Sequence, residues 1–333
     1  MKALVIGGTG LISGAITREL KKKGHAVTVF HRGHRPLEVK GVREILGDRQ
    51  DRAAFEARMK AEDFDAVFDL ISFNTADAAS AWRAFKGRVK HFVHCSTVCA
   101  VGVPTLKIPC DETEPYHPIS KYGRGKAAAE KYLLGKWRQG KFPVTIIRPS
   151  HTYGPGAAWV LGTFVDDWDR DCALINRILA NKPLLVQGDG EQLWQSCYSD
   201  DAAEGFVGCL GNKKVLGEIY NLCGPQVYTW NDYYLRIAKA LGRKAKLAHL
   251  PTAVIVAKAP RDATYFLEEI AQFHGAYSNA KALRDIPAFR PRTTIEQGIR
   301  KHVAWLRKKN LLKKAPKRIY EDRLCKLAFS LAK

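Results

Sequence analysis

Residues 2–14 read Lys2-Ala3-Leu4-Val5-Ile6-Gly7-Gly8-Thr9-Gly10-Leu11-Ile12-Ser13-Gly14. A short apolar run predicts a strand over residues 2–6, which breaks into a glycine turn before a helix predicted over 15–22. The glycines let the backbone turn sharply and come close to a bound group. The helix that follows presents free N–H groups and a partial positive charge to an anion. Strand, glycine turn and helix in that order predict a site for the phosphates of a nucleotide, with Gly7, Thr9, Gly10, Leu11 and Ile12 around it.

Working outward, the same alternation repeats. Strands are predicted over 26–30, 43–46, 66–71, 91–95 and 144–147, separated by helices over 51–60, 76–85 and from 122 onward. This spacing predicts an α/β fold, a Rossmann doubly wound parallel sheet, with a smaller, mixed C-terminal region for substrate. Dinucleotides bind outside the carboxyl ends of such strands, so Leu70, Ile71 and Ser72 at the end of the fourth strand are expected to face one. The second strand ends where an acid normally takes the ribose 2′-hydroxyl of NAD. Here it runs into His31-Arg32-Gly33-His34-Arg35, with no acid. His31, Arg32 and Arg35 therefore suit the 2′-phosphate of NADP, unless they only cap the strand and NAD still binds. Asp48 either contacts the adenine or caps the turn into the next helix.

The second informative stretch is Tyr122-Gly123-Arg124-Gly125-Lys126 at the start of a helical run. Residues four apart lie on one helix face. An ammonium beside a phenol favours the phenolate and is expected to lower the tyrosine pKa, making Tyr122 a usable base. The plain alternative is an i,i+4 pair on a solvated helix. The strand-end motifs upstream favour chemistry.

Composition limits the function classes. With 333 residues and 46% hydrophobic content, the chain has ample material for a core. No apolar run is long enough to span a bilayer, and the N-terminus does not read as a signal peptide. Eight scattered cysteines without metal-type pairing read as reduced thiols of a cytoplasmic protein, with no metal site. The formal net charge of +21 invites anionic partners, nucleic acid among them. Much of it lies near the C-terminus, where residues 307–333 read as a basic, solvated tail. Trp159, Phe164 and Trp168 fall in a less regular segment.

Taken together, the glycine turn, the strand end at Ser96-Thr97, Tyr122 to Lys126, Arg148-Pro149 with Tyr153-Gly154-Pro155, and Gly188-Asp189-Gly190 followed by Asp200-Asp201 resemble the extended short-chain dehydrogenase/reductases. The resemblance is to the NAD-dependent epimerase/dehydratase group that includes UDP-galactose 4-epimerase, and it runs over about residues 2–305. It implies Thr97 as the catalytic hydroxyl, with Ser96 beside it, Tyr122 as general acid/base, and Lys126 on the nicotinamide ribose. It places Pro149 and Ser150 against the nicotinamide, and Ser96, Thr97, His151 and Tyr153 on the substrate side. It also implies a homodimer.

Three departures bear on substrate. Ser13 replaces the third glycine of the turn. Val98 and Cys99 stand where dehydratases of the group carry acids, and neither can shuttle a proton. Trp194 stands where sugar-nucleotide enzymes usually present an arginine to the diphosphate; an indole can only stack on a sugar or base, which leaves Arg290 or Arg292 for the phosphates. The reading is an NAD(P)-dependent epimerase of a sugar or nucleotide sugar. A NADP(H)-dependent reductase is the alternative, and an RNA-binding protein on this scaffold the remote one. NADP is favoured at the second strand end, NAD for a true epimerase. The domains read as 1–155 for the dinucleotide, with returning segments at about 195–225, and 156–194 with 226–306 for substrate.

Overall fold

The computed structural model describes residues 1–158, 162–166, 171–314 and 317–331; Trp159 and Trp168 lie outside the described residues. The first half alternates as expected: β1 (Lys2–Ile6), α1 (Leu11–Lys22), β2 (Ala26–His31), β3 (Arg43–Leu46), α2 (Arg52–Lys60), β4 (Ala66–Asp69), α3 (Thr75–Phe85), β5 (His91–Cys95), α4 (Lys121–Gly140) and β6 (Val144–Pro149). With Ile219–Leu222 these strands form one seven-stranded sheet, ordered Ile219–Leu222, β6, β5, β4, β1, β2, β3. Every neighbouring pair is parallel. The order reverses between β1 and β4, which opens a crevice at the carboxyl edge.

Alternation along β1 sends its residues to two cores. Ala3 and Val5 pack with Ile16, Leu20 and Phe206 on the face covered by α1 and the helix Ser199–Gly208. Leu4 and Ile6 pack with Phe55, Phe85 and Leu133 on the face covered by α2, α3 and α4. Helix α1 starts at Leu11, four residues before the predicted start. Gly10 is its extended N-cap, and the buried Ser13 hydroxyl accepts from Gly10 N at 2.9 Å and donates to Gly7 O at 2.6 Å. The serine that replaces the third glycine thus laces the turn.

The C-terminal region has its own core of Trp194, Trp230, Tyr233, Tyr234, Ile237 and Ile299. Its parallel pair Leu184–Gln187 and Leu247–Leu250 is covered by the helix Ile319–Leu331. The expected solvated tail is therefore corrected. Leu324, Cys325 and Ala328 recur at helical spacing and are buried. Arg318, one of the tail's basic residues, is 6% exposed and donates to Asp166 at 2.7 Å and to Asp171. Arg177 pairs with Glu321 at 2.9 Å.

Burial holds four histidines neutral. It pulls the pKa of His91 and of His302 down to about 4, that of His151 to about 3, and that of His94 well below the usual value. A histidine whose folded pKa is depressed stabilises the fold above its unfolded pKa, about 6.5, and loses that contribution as pH falls. At about 1.4 kcal/mol per pH unit, one such histidine costs on the order of 2 kcal/mol by pH 5. We expect urea midpoints to fall steeply between about pH 6.5 and 4.5, and a His91→Asn variant to show a shallower slope in the same titration.

Candidate functional site

Helix α4 carries the Tyr/Lys stretch to the strand ends. Ser120 caps it, its hydroxyl accepting from Gly123 N at 2.8 Å, so Tyr122 and Lys126 fall in the first two turns. The two glycines between them allow a close approach. A methyl at Gly123 would lie 2.4 Å from the Cys99 carbonyl oxygen, and one at Gly125 2.3 Å from that of Phe73. With the helix so close, the buried Lys126 ammonium donates to Ser72 O at 2.9 Å and Cys95 O at 2.7 Å. Two of its three donors hold the ends of β4 and β5, and one remains for a ligand.

Thr97 lies where β5 gives way to a short helical turn, Val98–Ala100, and its hydroxyl accepts from Cys99 N at 3.2 Å. Thr97, Cys95, Cys99 and Tyr265 surround the Tyr122 phenol, although 40% of the tyrosine as a whole is exposed. Burial pushes this phenol up, while the Thr97 hydroxyl acts in the opposite direction. That corrects the expected lowering by Lys126. The ammonium is held on the strand-end carbonyls, 5.9 Å from the Tyr122 ring centre, and burial lowers its own pKa.

Behind Tyr122 and Lys126 the same helix face continues to Glu130, which the sequence analysis overlooked. Glu130 receives Arg148 at 2.6 Å, the Tyr116 hydroxyl at 2.7 Å and the Ser96 hydroxyl, all largely enclosed. The spacing 122, 126, 130 was the available signal. Ser96, expected on the substrate side, is committed to this carboxylate and 2% exposed.

The glycine turn forms a cradle. Gly7 adopts φ +92°, and a methyl there would lie 2.7 Å from Ile71 Cγ2, so the turn presses on the end of β4. A cavity of about 410 Å³ lies over it, lined by Gly8, Thr9, Gly10, Gly14, Arg18 and Arg35 from this side and Gly156 and Trp305 from the C-terminal region. A twelve-residue helix opening on a close-packed glycine turn, beside a roomy cavity with basic walls, fits a dinucleotide. Leu11 and Ile12 start that helix, and Leu70, Ile71 and Ser72 follow β4 at the same edge. Pro149 and Ser150 lie at the end of β6, next to β5, and Ser150 Oγ is buried without a protein partner among the described residues.

The remaining positions at this edge are corrected at His31 and take the capping alternative at Asp48. His31 is buried: its Nε2 donates to Glu44 at 2.8 Å and its Nδ1 accepts from Gly33 N at 3.3 Å, so it staples β2 to β3 rather than facing a ligand. Arg32 is exposed beside it. Asp48 accepts from Gln50 N at 2.8 Å, as a turn cap. Its neighbour Arg49 is the buried residue, donating to Ser80 and Asp77 and lying 3.6 Å from Asp69.

On the substrate side, His151 lies against Trp194 and Phe266, with ring centres 4.8 and 5.8 Å away. Trp194 is 4% exposed and stacked on Trp230 at 4.5 Å, so it has no open face for a sugar. Tyr153 is buried, its hydroxyl directed at Thr294 O and at Gly298 of the helix Ile295–Lys308. Arg290 is exposed and donates through Nη1 to the carbonyls of Leu283 and Phe289, while Arg292 forms a surface pair with Glu204. Among the described residues, no group of three or more His, Cys, Asp or Glu side chains could hold a metal ion, and no helix is long and apolar enough to cross a membrane.

Residues 3–223 match the model of the NAD dependent epimerase/dehydratase family. The chain belongs to that family. Among its relatives is the 2′-dehydrokanamycin reductase of Streptomyces kanamyceticus, 30% identical over 88% of this chain and 81% of that protein. Another is the chloroplast stem-loop binding protein of 41 kDa b of Arabidopsis thaliana, 29% identical over 72% of this chain and 63% of that one. The solved structure of UDP-glucuronic acid 4-epimerase from Bacillus cereus, in complex with UDP-glucuronic acid and NAD, has the same fold: TM-score 0.70 and 21% identity, covering 93% of this chain and 100% of that one.

Removing one partner of a buried ion pair typically costs about 3–5 kcal/mol. We expect Glu130→Ala, which strands Arg148, to lower stability by about that much in urea denaturation. Asp63→Ala, which breaks an exposed pair with Lys2, should cost about 1 kcal/mol or less.

Proposed function

We propose that this protein is a nicotinamide-dependent oxidoreductase that reduces a carbonyl on a sugar-type substrate, with NADP(H) as its exchanging cofactor. The observation that carries the reading is the convergence of Thr97, Tyr122 and Lys126 at the ends of β4 and β5, beside the glycine-turn cradle. Gly7, Thr9, Gly10, Leu11 and Ile12 would hold the pyrophosphate, Lys126 the nicotinamide ribose, and Arg32 with Arg35 a 2′-phosphate. When bound, the dinucleotide supplies the hydride to the carbonyl carbon. Thr97 holds the carbonyl oxygen, and Tyr122 delivers the proton to it as charge develops there. A phenol pushed above its ordinary value rests protonated at neutral pH, which is the donating form. The 30% identity to a reductase supports the same direction.

An epimerase uses the same three residues, and the family match and the UDP-glucuronic acid 4-epimerase fold support it as the second reading. The +21 charge and the Arabidopsis relative are the support for stem-loop binding. The buried apparatus behind Tyr122 weighs against that reading, because a surface for nucleic acid needs none of it. A homodimer through α3 and α4 belongs to the proposal.

Denaturing the purified protein and weighing any released dinucleotide separates the readings. A reductase releases little and binds NADPH with micromolar affinity; stoichiometric NAD retained through purification points to the epimerase. We expect Tyr122→Phe to bind NADPH like the wild type while losing about 10²–10⁴-fold in kcat. Failure of the wild type to bind any nicotinamide dinucleotide would sink the enzyme reading. Arg32→Ala should weaken NADPH binding by about tenfold and leave NADH unchanged, since only the former carries the extra phosphate.

A further inference from the structure

The wall facing Tyr122 comes from the C-terminal region. A short helix, Arg261–Phe266, continues into a π-helical turn, Leu267–Ala271, in which Gln272 N donates to Leu267 O at 3.1 Å. Such a turn inserts one residue into the helical repeat and re-aims the side chains along it. Leu267 and Ala271 are fully buried in the C-terminal core. Glu269 faces the other way, into a cleft of about 10 Å³, room for one water-sized group, shared with Cys99, Ile119, Ser120 and Tyr277; Ile270 borders it while also packing on the C-terminal core. Cys99 is two residues from Thr97 and also lies beside the Tyr122 phenol, so this cleft adjoins the reacting position. Tyr265, one turn before Glu269, links the two: its phenol lies close to both Tyr122 and Glu269.

Apolar groups and Ser120 make up most of this lining, and Glu269 is its carboxylate. The Tyr265 phenol hydrogen-bonds this carboxylate, while its Oε2 is shielded from water and has no partner of its own among the described residues. A carboxylate oxygen so placed is costly until a donor meets it. The nearby base, Arg124, turns its guanidinium to the Ile119 carbonyl. Arg292 pairs with Glu204 and Trp194 is stacked on Trp230, while this cleft presents an acid.

We propose that Glu269 is a recognition residue for an ammonium group, and that the sugar-type substrate is an amino sugar whose carbonyl or carbinol stands at Tyr122. This rests on the oxidoreductase reading above. The ammonium donates to the open carboxylate oxygen, and a charge-assisted bond in a partly dry cleft fixes which end of the sugar meets Thr97. Neighbouring Glu268 is occupied by the Thr264 hydroxyl and takes no part.

The test is calorimetric titration of kanamycin, fully N-acetylated kanamycin and UDP-glucose into the full-length protein saturated with NADP+. We expect kanamycin to bind, the acetylated form and UDP-glucose to bind at least about tenfold more weakly, and Glu269→Gln to lose about ten- to hundredfold in kanamycin affinity. Glu269→Asp should recover part of it, and Glu268→Gln should match the wild type. With a net charge of +21, the protein's general field opposes a cationic ligand, so such binding needs a local acid. No kanamycin binding to the loaded wild type, an unchanged constant in Glu269→Gln, or preference for UDP-glucose overturns the assignment. If NADP+ binds normally in any of these cases, the oxidoreductase reading survives. If no dinucleotide binds, both fall together.

Discussion

One ammonium group holds the site together. Lys126 is buried, and it reaches the carbonyls of Ser72 and Cys95, the points where two adjacent strands give out. An isolated charge at that depth would be prohibitive, and two hydrogen bonds from carbonyl dipoles make it tolerable. The arrangement demands that α4 lie almost on the strand ends, and glycine at 123 and 125 meets that demand. It also sets where Tyr122 stands relative to Thr97. The Glu130–Arg148 pair one turn on extends the same logic: β6 is tied to α4 by a second buried charge, with Ser96 and Tyr116 filling the remaining valences of the carboxylate.

Much of the dinucleotide half was legible from residue order, because its signals are local. Glycines between a strand and a helix, and short apolar runs at even spacing, carry their meaning within a dozen residues. The readings that went wrong depend on contacts far along the chain. Trp194 reads as a platform in isolation, but Trp230 covers it. His31 reads as a phosphate ligand until Glu44 on the neighbouring strand takes its Nε2. Tyr153 belongs to the helix at 295–308, a partner no local pattern announces. Glu130 was the exception: its signal was local, since it continues the helical spacing of Tyr122 and Lys126.

Charge misled in a similar way. The basic residues after position 306 suggested solvent, because a run of like charge repels itself in an extended chain. In the fold, Arg318 is shared among Asp166, Asp171 and Glu321. A sum over a sequence cannot tell an exposed cation from one that is part of a core.

The last helix has a consequence for how the molecule comes into being. Ile319–Leu331 supplies Leu324, Cys325 and Ala328 to the core behind the parallel pair Leu184–Gln187 and Leu247–Leu250, and Arg177 waits on Glu321 and Asp322. All seven strands of the central sheet have emerged from the ribosome with Leu222, and the sheet can begin to assemble while translation continues. The substrate half cannot: its wall, Ile319–Leu331, is synthesised long after the sheet. Each nascent chain therefore passes through an interval in which the sheet stands ready while Ala282, Ile286 and Phe289 of its own core, Trp305 of the nucleotide cavity and the last wall of the substrate half have yet to arrive.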